Sequence, residues 1–432
     1  MTVRVGVRRE DKNKWERRVP LTPSDLHAIS RDHGLDIFVQ PSPIRIFPDA
    51  AYSGLGIEMS EDLSSAGLIV AVKEIPMDLL REGQAYICFS HTAKGQDYNM
   101  PNLRRMMELG CSLVDYEKIA DDDGRRLIFF SIHAGYAGMI ESLRALGLRL
   151  QALGRPTPLA DLSQPWQYGD LGAAETGIRD IGDRLGAAGA GDGPLVIGIA
   201  GYGNVSNGAQ AVLEWLPHKT IDVADLPRAA EIAGDCPLAV VVFRESDMVE
   251  SAAGGQFKLQ DYYDNPGRYT GCFAKHLPHL DMLVNTIYWE ERYPRLVTRD
   301  WVAGAFAGGA EPRLKVVGDI SCDIEGSIEP TVKATSPDEP NYVFGPDGSI
   351  ADGVEGRGLV LMTVDNLPCE LPKESSEHFS RVLRDMVPHL ARAEWKADFK
   401  DLELPPHLER AVILHRGELT PAYGHMAQYL AE

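Results

Sequence analysis

The chain has 432 residues, and its 63 acidic and 43 basic side chains give a formal net charge of −20. Nucleic-acid readers need a basic surface that displaces counterions from phosphates, so this charge excludes nucleic acid and disfavours an anionic membrane. Six cysteines stand singly, without a CxxC pair, which is typical of reduced thiols in the cytoplasm. We find no apolar run as long as the ~18–20 residues of a membrane span and no signal peptide, and we expect a cytoplasmic protein.

Short β-branched runs alternate with helical patterns from the first residues onward. Strands are predicted at residues 3–7, 35–39, 67–72, 85–89 and 111–116, and helices at 24–33 and 102–109. This alternation of strands and helices indicates a mostly parallel sheet with right-handed crossovers.

The same alternation starts again in the second part of the chain. A long helical pattern covers residues 137–153, a second helix 171–185, and strands follow at 195–200, 238–243, 280–288 and 314–320. A further helix is predicted at 375–390 and could return to the first domain. The fold class is therefore α/β with two domains, since each domain takes roughly 100–200 residues.

A glycine-rich turn follows the apolar strand 195–200 and opens a helical pattern. Gly201 allows a tight turn, Gly203 lets a pyrophosphate approach the backbone, and the helix start at Asn204 and Val205 offers free N–H groups. Ser206 occupies the third glycine position of the usual fingerprint, so the motif is imperfect. Strand, turn and helix together favour a nicotinamide dinucleotide site over a turn whose glycines only serve packing.

An acidic residue, Asp222, lies about 20 residues further on, in a strand predicted at 220–223. A carboxylate there accepts hydrogen bonds from the ribose hydroxyls and repels a 2′-phosphate, which favours NAD. His218 and Lys219 stand nearby and could offset that preference. The choice between NAD(H) and NADP(H) stays open.

Ionisable residues follow three strands of the first domain. Lys73 and Glu74 follow one strand, His91 the next and Glu117 the third. Because the carboxyl ends of parallel strands meet at one sheet edge, we expect these groups to gather there and transfer protons. Solvated strand ends and a structural histidine are the alternatives. No metal is assigned, because His276 and His279 lack accompanying ligands.

Longer motifs resemble the lysine–2-oxoglutarate reductase half of the bifunctional aminoadipic semialdehyde synthase family. They cover residues 7–23, 89–94, 115–118, 201–206, 285–290, 318–329 and 364–368. The chain is more distantly similar to lysine-forming saccharopine dehydrogenase and to the alanine dehydrogenase/transhydrogenase group. The stretch 244–248 departs from the pattern, because it lacks an expected histidine cluster.

The resemblance implies two Rossmann-like domains with an interdomain cleft. Residues 1–133 with 366–432 would form a discontinuous substrate (catalytic) domain, and 134–365 a dinucleotide-binding domain. It also implies NAD(P)-dependent condensation of lysine with 2-oxoglutarate to saccharopine, or the reverse. These small molecules would be the partners, and assembly into a homo-oligomer stays open.

The resemblance further implies roles for individual residues. Lys73 and His91 match an acid–base pair, with Glu74 and Glu117 as supporting acids. Arg18 and Arg126 match arginines that bind substrate carboxylates. Residues that match segments lining the nicotinamide are Asn285, Tyr288 and Asp319. Two alternatives remain: an NAD-dependent lysine-forming saccharopine dehydrogenase or a relative with another amine substrate, and a nucleotide sensor without catalysis.

Overall fold

A computed structural model describes residues 4–189 and 193–430. The chain divides into two compact units, Met1–Phe130 with Pro372–Glu432 (unit 1) and Ser131–Leu371 (unit 2). The expected boundaries, after residues 133 and 365, differ from these because a long helix begins at Ser131 and another at Pro372. Val3, in the first predicted strand, lies outside the described residues.

Eighteen strands and thirteen α-helices are defined within the described residues. The strands are β1 Val5–Val7, β2 Ile37–Val39, β3 Glu58–Met59, β4 Leu68–Lys73, β5 Ala85–Phe89, β6 Ser112–Asp115, β7 Leu195–Ala200, β8 His218–Thr220, β9 Leu238–Phe243, β10 Val249–Ser251, β11 Tyr269–Gly271, β12 Met282–Asn285, β13 Val316–Asp319, β14 Asn341–Phe344, β15 Ile350–Asp352, β16 Leu359–Met362, β17 Val412–His415 and β18 Glu418–Leu419. The helices are α1 Pro23–His33, α2 Asp49–Ser53, α3 Met100–Glu108, α4 Ser131–Ala152, α5 Leu171–Ala188, α6 Asn204–Leu213, α7 Ala229–Ala233, α8 Glu245–Met248, α9 Leu259–Asp264, α10 Arg299–Ala305, α11 Pro372–Leu383, α12 Val387–Arg392 and α13 Pro406–Glu409.

The sheet of unit 1 has the order β18-β17-β6-β5-β4-β1-β2-β3. Strands β1 to β6 pair in parallel, whereas β17 and β18 add an antiparallel edge. From β1 the chain builds outward through β2 and β3, and it then crosses to β4 on the other side. The boundary between β1 and β4 is thus a topological switch point, where ligands bind outside the carboxyl ends of the strands.

The sheet of unit 2 has the order β15-β14-β16-β13-β12-β7-β9-β8. Strands β7, β8, β9, β12, β13 and β16 are parallel, and β14 and β15 are antiparallel. The α/β prediction with mainly parallel sheets is confirmed. The glycine strand β7 has β9 as one neighbour and β12 as the other, and β8 is the outermost strand.

Helix α6, which follows the glycine turn, packs closely against α4. A side chain at Gly208 would collide with the carbonyl oxygen of Ile132, and one at Gly135 with that of Val205. Gly208 therefore permits the close packing that the third fingerprint glycine usually provides. Ser206 is fully buried beside it.

The helix predicted at 375–390 is two helices, α11 and α12. The prediction of one continuous helix is wrong because Pro388 has no backbone N–H and cannot donate to residue 384. The break falls between Leu383 and Val387, and Pro388 stands in the first turn of α12.

Two carboxyl groups are buried in unit 2, at Glu141 in α4 and at Glu370 just before α11. Burial raises the pKa of Glu141 to about 7, although Arg144 lies 4.0 Å away and opposes the shift. Burial and the neighbouring Glu141 charge also raise the pKa of Glu370. The folded chain is therefore most stable when both carboxyl groups are protonated and neutral.

We therefore expect the chain to lose stability as the pH rises. Folding raises the pKa of Glu141 from 4.5 to about 7, so the unfolded chain loses this proton first and unfolding becomes more favourable between these values. The loss is on the order of 3 kcal/mol for this group. Glu141→Gln should show a smaller drop in Tm between about pH 5 and pH 8 than the unmodified chain. Glu355→Gln, at an exposed position, is the control; equal pH dependence in both variants would contradict the prediction.

Candidate functional site

The predicted polar residues of unit 1 follow adjacent parallel strands. Lys73 ends β4, His91 lies two residues beyond β5, and Glu117 two residues beyond β6. The structure pairs two of them: His91 Nδ1 lies 3.3 Å from Glu117 Oε1. The hydrogen bond from His91 lowers the pKa of Glu117 to about 2. The carboxylate therefore stays charged and orients the imidazole.

His91 adopts a backbone conformation that side-chain-bearing residues rarely take, with φ of 54°. The side-chain amide of Asn99 donates to its carbonyl oxygen at 3.1 Å. The buried carboxylate of Asp115 accepts from the Ser90 hydroxyl and from the Glu117 backbone N–H, the latter at 2.8 Å. These contacts hold a strained backbone in place, as is common at functional sites.

Lys73 is largely withdrawn from solvent. Burial lowers the pKa of its amine, and the positive charge of Arg18 lowers it further, although Glu16 and Glu74 oppose this. Glu74 forms an ion pair with Lys12, whose Nζ lies 2.7 Å from Oε1. A lysine with a lowered pKa can exchange a proton nearer neutrality than a solvated one.

The two predicted carboxylate-binding arginines differ in their surroundings. The Arg18 guanidinium is 2% exposed, donates from Nε to Glu16 Oε1 at 2.7 Å and lies 4.4 Å from the centre of the Phe130 ring. The Arg18 charge is thus paired with Glu16 and enclosed, and its role in binding a substrate carboxylate stays a prediction. The side chain of Arg126 is 40% exposed, and Nη2 lies 3.9 Å from Glu117.

Sequence reasoning missed Glu10. Its buried carboxylate accepts the backbone N–H of Val72 at 2.7 Å and that of Lys73 at 3.0 Å, where the pairing of β4 with β5 is irregular. Burial raises the pKa of Glu10 to about 7, helped by the Glu16 charge. The sequence did offer one signal for Glu10: it is a charged residue that follows β1 closely, at the switch point.

The glycine turn of unit 2 has the geometry that its spacing predicts. Gly201 has φ of 103°, and a Cβ on it would lie 2.7 Å from Thr286 Oγ1. Gly203 caps α6 without a side-chain hydrogen bond and has open space where a Cβ would project. Asn204 is exposed and Val205 half-buried in the first helical turn. A phosphate could therefore reach the free N–H groups.

A cavity of about 500 Å³ opens beside this turn, at the carboxyl ends of β7, β9 and β12. Six aromatic side chains line it: Tyr202, Tyr262, Tyr263, Tyr288, Trp289 and Tyr293. Aromatic walls suit a planar base, and the open Gly203 suits a pyrophosphate. These residues fit a dinucleotide.

The three residues assigned to the nicotinamide side differ in their exposure to solvent. Tyr288 is 77% exposed and lines the cavity. Asn285 and Asp319 are buried and joined by a 2.8 Å hydrogen bond, and the Thr331 hydroxyl donates to Asp319 at 2.6 Å. Burial raises the pKa of Asp319 to about 6. Since these two side chains are enclosed and bonded to each other, they hold the loop after β13. Their place on the nicotinamide side stays a prediction.

Asp222 also lies elsewhere than predicted. Strand β8 ends at Thr220, and exposed Asp222 precedes a 3₁₀ turn at Val223–Arg228. Because β9 separates β8 from the glycine strand, Asp222 does not follow the strand next to β7.

Within residues 4–189 and 193–430, no group of three or more His, Cys, Asp or Glu side chains could hold a metal ion. No helix in that part of the chain is both long and apolar enough to cross a membrane. All six cysteines are free thiols, and Cys88, Cys111 and Cys369 are buried.

Known proteins that are similar to this chain in sequence include the following two. Alpha-aminoadipic semialdehyde synthase of Arabidopsis thaliana is 38% identical over 97% of the chain. The chain spans 41% of that protein. Saccharopine dehydrogenase [NAD(+), L-lysine-forming] of Emericella nidulans is 26% identical over 90% of the chain and 93% of its own length.

The fold and the family are also recognised. A solved L-alanine dehydrogenase is 19% identical and superimposes with a TM-score of 0.65 over 99% of both chains, which shows the Rossmann-like fold. Residues 6–137 match the alanine dehydrogenase/PNT N-terminal domain, and residues 267–422 match the corresponding C-terminal domain. With well over half of its length matched by these two domains, the chain belongs to the alanine dehydrogenase/PNT family.

Proposed function

We propose that this chain is an NAD(P)H-dependent oxidoreductase that condenses L-lysine with 2-oxoglutarate to saccharopine, or catalyses the reverse. The observation that carries the proposal is the group formed by Lys73 and the His91–Glu117 pair at one sheet edge. The dinucleotide turn of unit 2 and the 38% identity to a semialdehyde synthase support it. Because the chain spans 41% of that protein, only part of its chemistry is proposed here.

Proton transfer is the task proposed for the unit 1 residues. The ε-amine of the substrate lysine must be neutral to attack the keto carbon, and Lys73, with its lowered pKa, accepts that proton. The addition product must then lose water, and His91, oriented by Glu117, gives a proton to the departing hydroxyl. Imine formation thus needs one base and one acid.

Substrate binding and reduction complete the reaction. The half-exposed Arg126 is the proposed partner of a substrate carboxylate, because its guanidinium can form two parallel hydrogen bonds. When bound, the reduced coenzyme supplies the hydride that converts the imine to a secondary amine. Gly201, Gly203, Asn204, Val205 and the aromatic cavity would hold that coenzyme.

Glu10 is proposed as a positioning residue for Lys73. It fixes the last two backbone N–H groups of β4, so it sets the direction in which the lysine leaves the sheet. A buried carboxylate with two backbone donors is costly to replace, because the amides it binds would lose their partner.

The second candidate is an NAD-dependent lysine-forming saccharopine dehydrogenase. One relative with that name matches the present chain over 93% of its own length, whereas the semialdehyde synthase is matched over less than half. This candidate keeps the proposed chemistry and differs in coenzyme. The cytoplasmic location and assembly into a homo-oligomer stay predictions.

The activity can be tested by following oxidation of NADPH and NADH. We expect oxidation only when lysine and 2-oxoglutarate are both present, because the imine forms from the pair. Pyruvate with ammonia is the comparison. Faster oxidation with that pair would favour an amino-acid dehydrogenase, and nucleotide binding without oxidation by any pair would favour a sensor.

Loss of the acid–base pair should slow turnover without affecting nucleotide binding. Lys73→Met and His91→Gln each should lower kcat by about 10²–10⁴-fold, the usual contribution of general acid–base catalysis. Nucleotide affinity, measured by calorimetry, should change by less than about twofold. Lys396→Met, at an exposed position of unit 1, is the control. Parallel loss of both quantities would mean that the pair is structural.

Replacement of Glu10 should loosen the end of β4. In Glu10→Gln one acceptor oxygen becomes a donor that faces a backbone N–H, so the amides of Val72 and Lys73 should exchange hydrogen faster. We expect kcat to fall while KM stays nearly constant. Glu82→Gln, at an exposed site, should change neither quantity. Unaltered exchange at both amides would contradict the positioning role.

A further inference from the structure

The strand order of unit 2 identifies the residue next to the adenosine ribose. In dinucleotide-binding sheets the ribose lies at the tip of the strand beside the glycine strand. Here that neighbour is β9, which pairs with β7 from Leu195↔Leu238 to Ala200↔Phe243. The N–H of Gly201 donates to the carbonyl oxygen of Phe243 at 3.0 Å. The next residue after this contact is Arg244.

Arg244 has the position and freedom to bind an anion. Its side chain is exposed, and Cζ lies 4.8 Å from the centre of the Tyr202 ring, which stands between the two turn glycines. In the described part of the chain, no carboxylate oxygen lies within 4.0 Å of its guanidinium nitrogens. An arginine held against an aromatic ring, with its donors free, suits a phosphate.

The neighbouring acid, Glu245, is already engaged. The Tyr263 hydroxyl donates to Glu245 Oε1 at 2.7 Å, and the Tyr202 hydroxyl approaches the same oxygen at 3.4 Å. A carboxylate bound by two phenols is less available to ribose hydroxyls than a free one. The unpaired charge at the tip of β9 is therefore positive.

We propose that Arg244, and not Asp222, reads the 2′ position of the adenosine ribose and is the residue that binds a 2′-phosphate there. This inference rests on the proposed function, because it assumes that the turn at Gly201 and Gly203 binds a dinucleotide. Asp222 follows the outermost strand β8, one strand further from the glycine strand, which is why its carboxylate does not oppose that phosphate.

Calorimetry on the full chain with two fragments, adenosine 2′,5′-bisphosphate and adenosine 5′-monophosphate, tests this without catalysis. The unmodified chain should bind the bisphosphate at least tenfold more tightly. In Arg244→Gln the ratio should fall toward one, while 5′-monophosphate affinity changes little. Asp222→Asn is the matched control and should keep the ratio.

Several results would overturn the inference. Equal binding of the two fragments by the unmodified chain would do so, as would an unchanged ratio in Arg244→Gln. A marked rise of bisphosphate affinity in Asp222→Asn would place Asp222 at the 2′ position instead, because removal of its charge would relieve repulsion of the phosphate. The same rise in Glu245→Gln alone would assign the position to that acid. Binding of neither fragment would overturn the nucleotide site itself, and with it the proposed function.

Discussion

Parallel strand pairing is the constraint on which the candidate site depends. When β1, β4, β5 and β6 run in one direction, their carboxyl ends share one edge, and side chains far apart in sequence meet there. His91 and Glu117 are 26 positions apart, yet their polar atoms lie 3.3 Å from each other. Lys73 reaches the same edge because it ends β4.

Burial of charge gives this edge its chemistry. Lys73 loses solvent and stands near the positive Arg18, so its charged form is disfavoured. Glu117 keeps its charge because His91 donates to it. Glu16 and Glu10 add buried carboxyls, one paired with Arg18 and one bound by two backbone amides. Glu117, Glu16 and Glu10 are each satisfied by a named neighbour, which explains how these carboxyl groups lie under the surface.

In unit 2 the candidate site also lies at the carboxyl ends of parallel strands, but it is built from different groups. Its glycine turn leaves backbone N–H groups free, and its aromatic cavity supplies apolar contact beside them. Because β9 lies between β7 and β8, the residue proposed to lie beside the ribose is Arg244 and not Asp222. Under this proposal, coenzyme choice depends on strand order as much as on the presence of an acidic or basic residue.

Local patterns in the sequence were sufficient to predict the fold class and part of the candidate site. Alternating apolar runs predicted the α/β class, and strand, glycine turn and helix predicted the start of α6, because these signals act between near neighbours. Polar residues after apolar strands marked Lys73, His91 and Glu117, since parallel sheets bring strand ends together.

Tertiary structure alone decided features that depend on distant pairing. The order of β8 and β9 displaced Asp222 from its predicted position, because strand order is set by packing across the whole sheet. Only the folded structure shows that Arg18, Asn285 and Asp319 are buried and hydrogen-bonded to other protein side chains. It also revealed Glu10, whose two backbone donors lie 62 and 63 positions away. Spacing along the chain reports residue types and local conformation, whereas solvent exclusion and neighbours across a sheet exist only once the chain has folded.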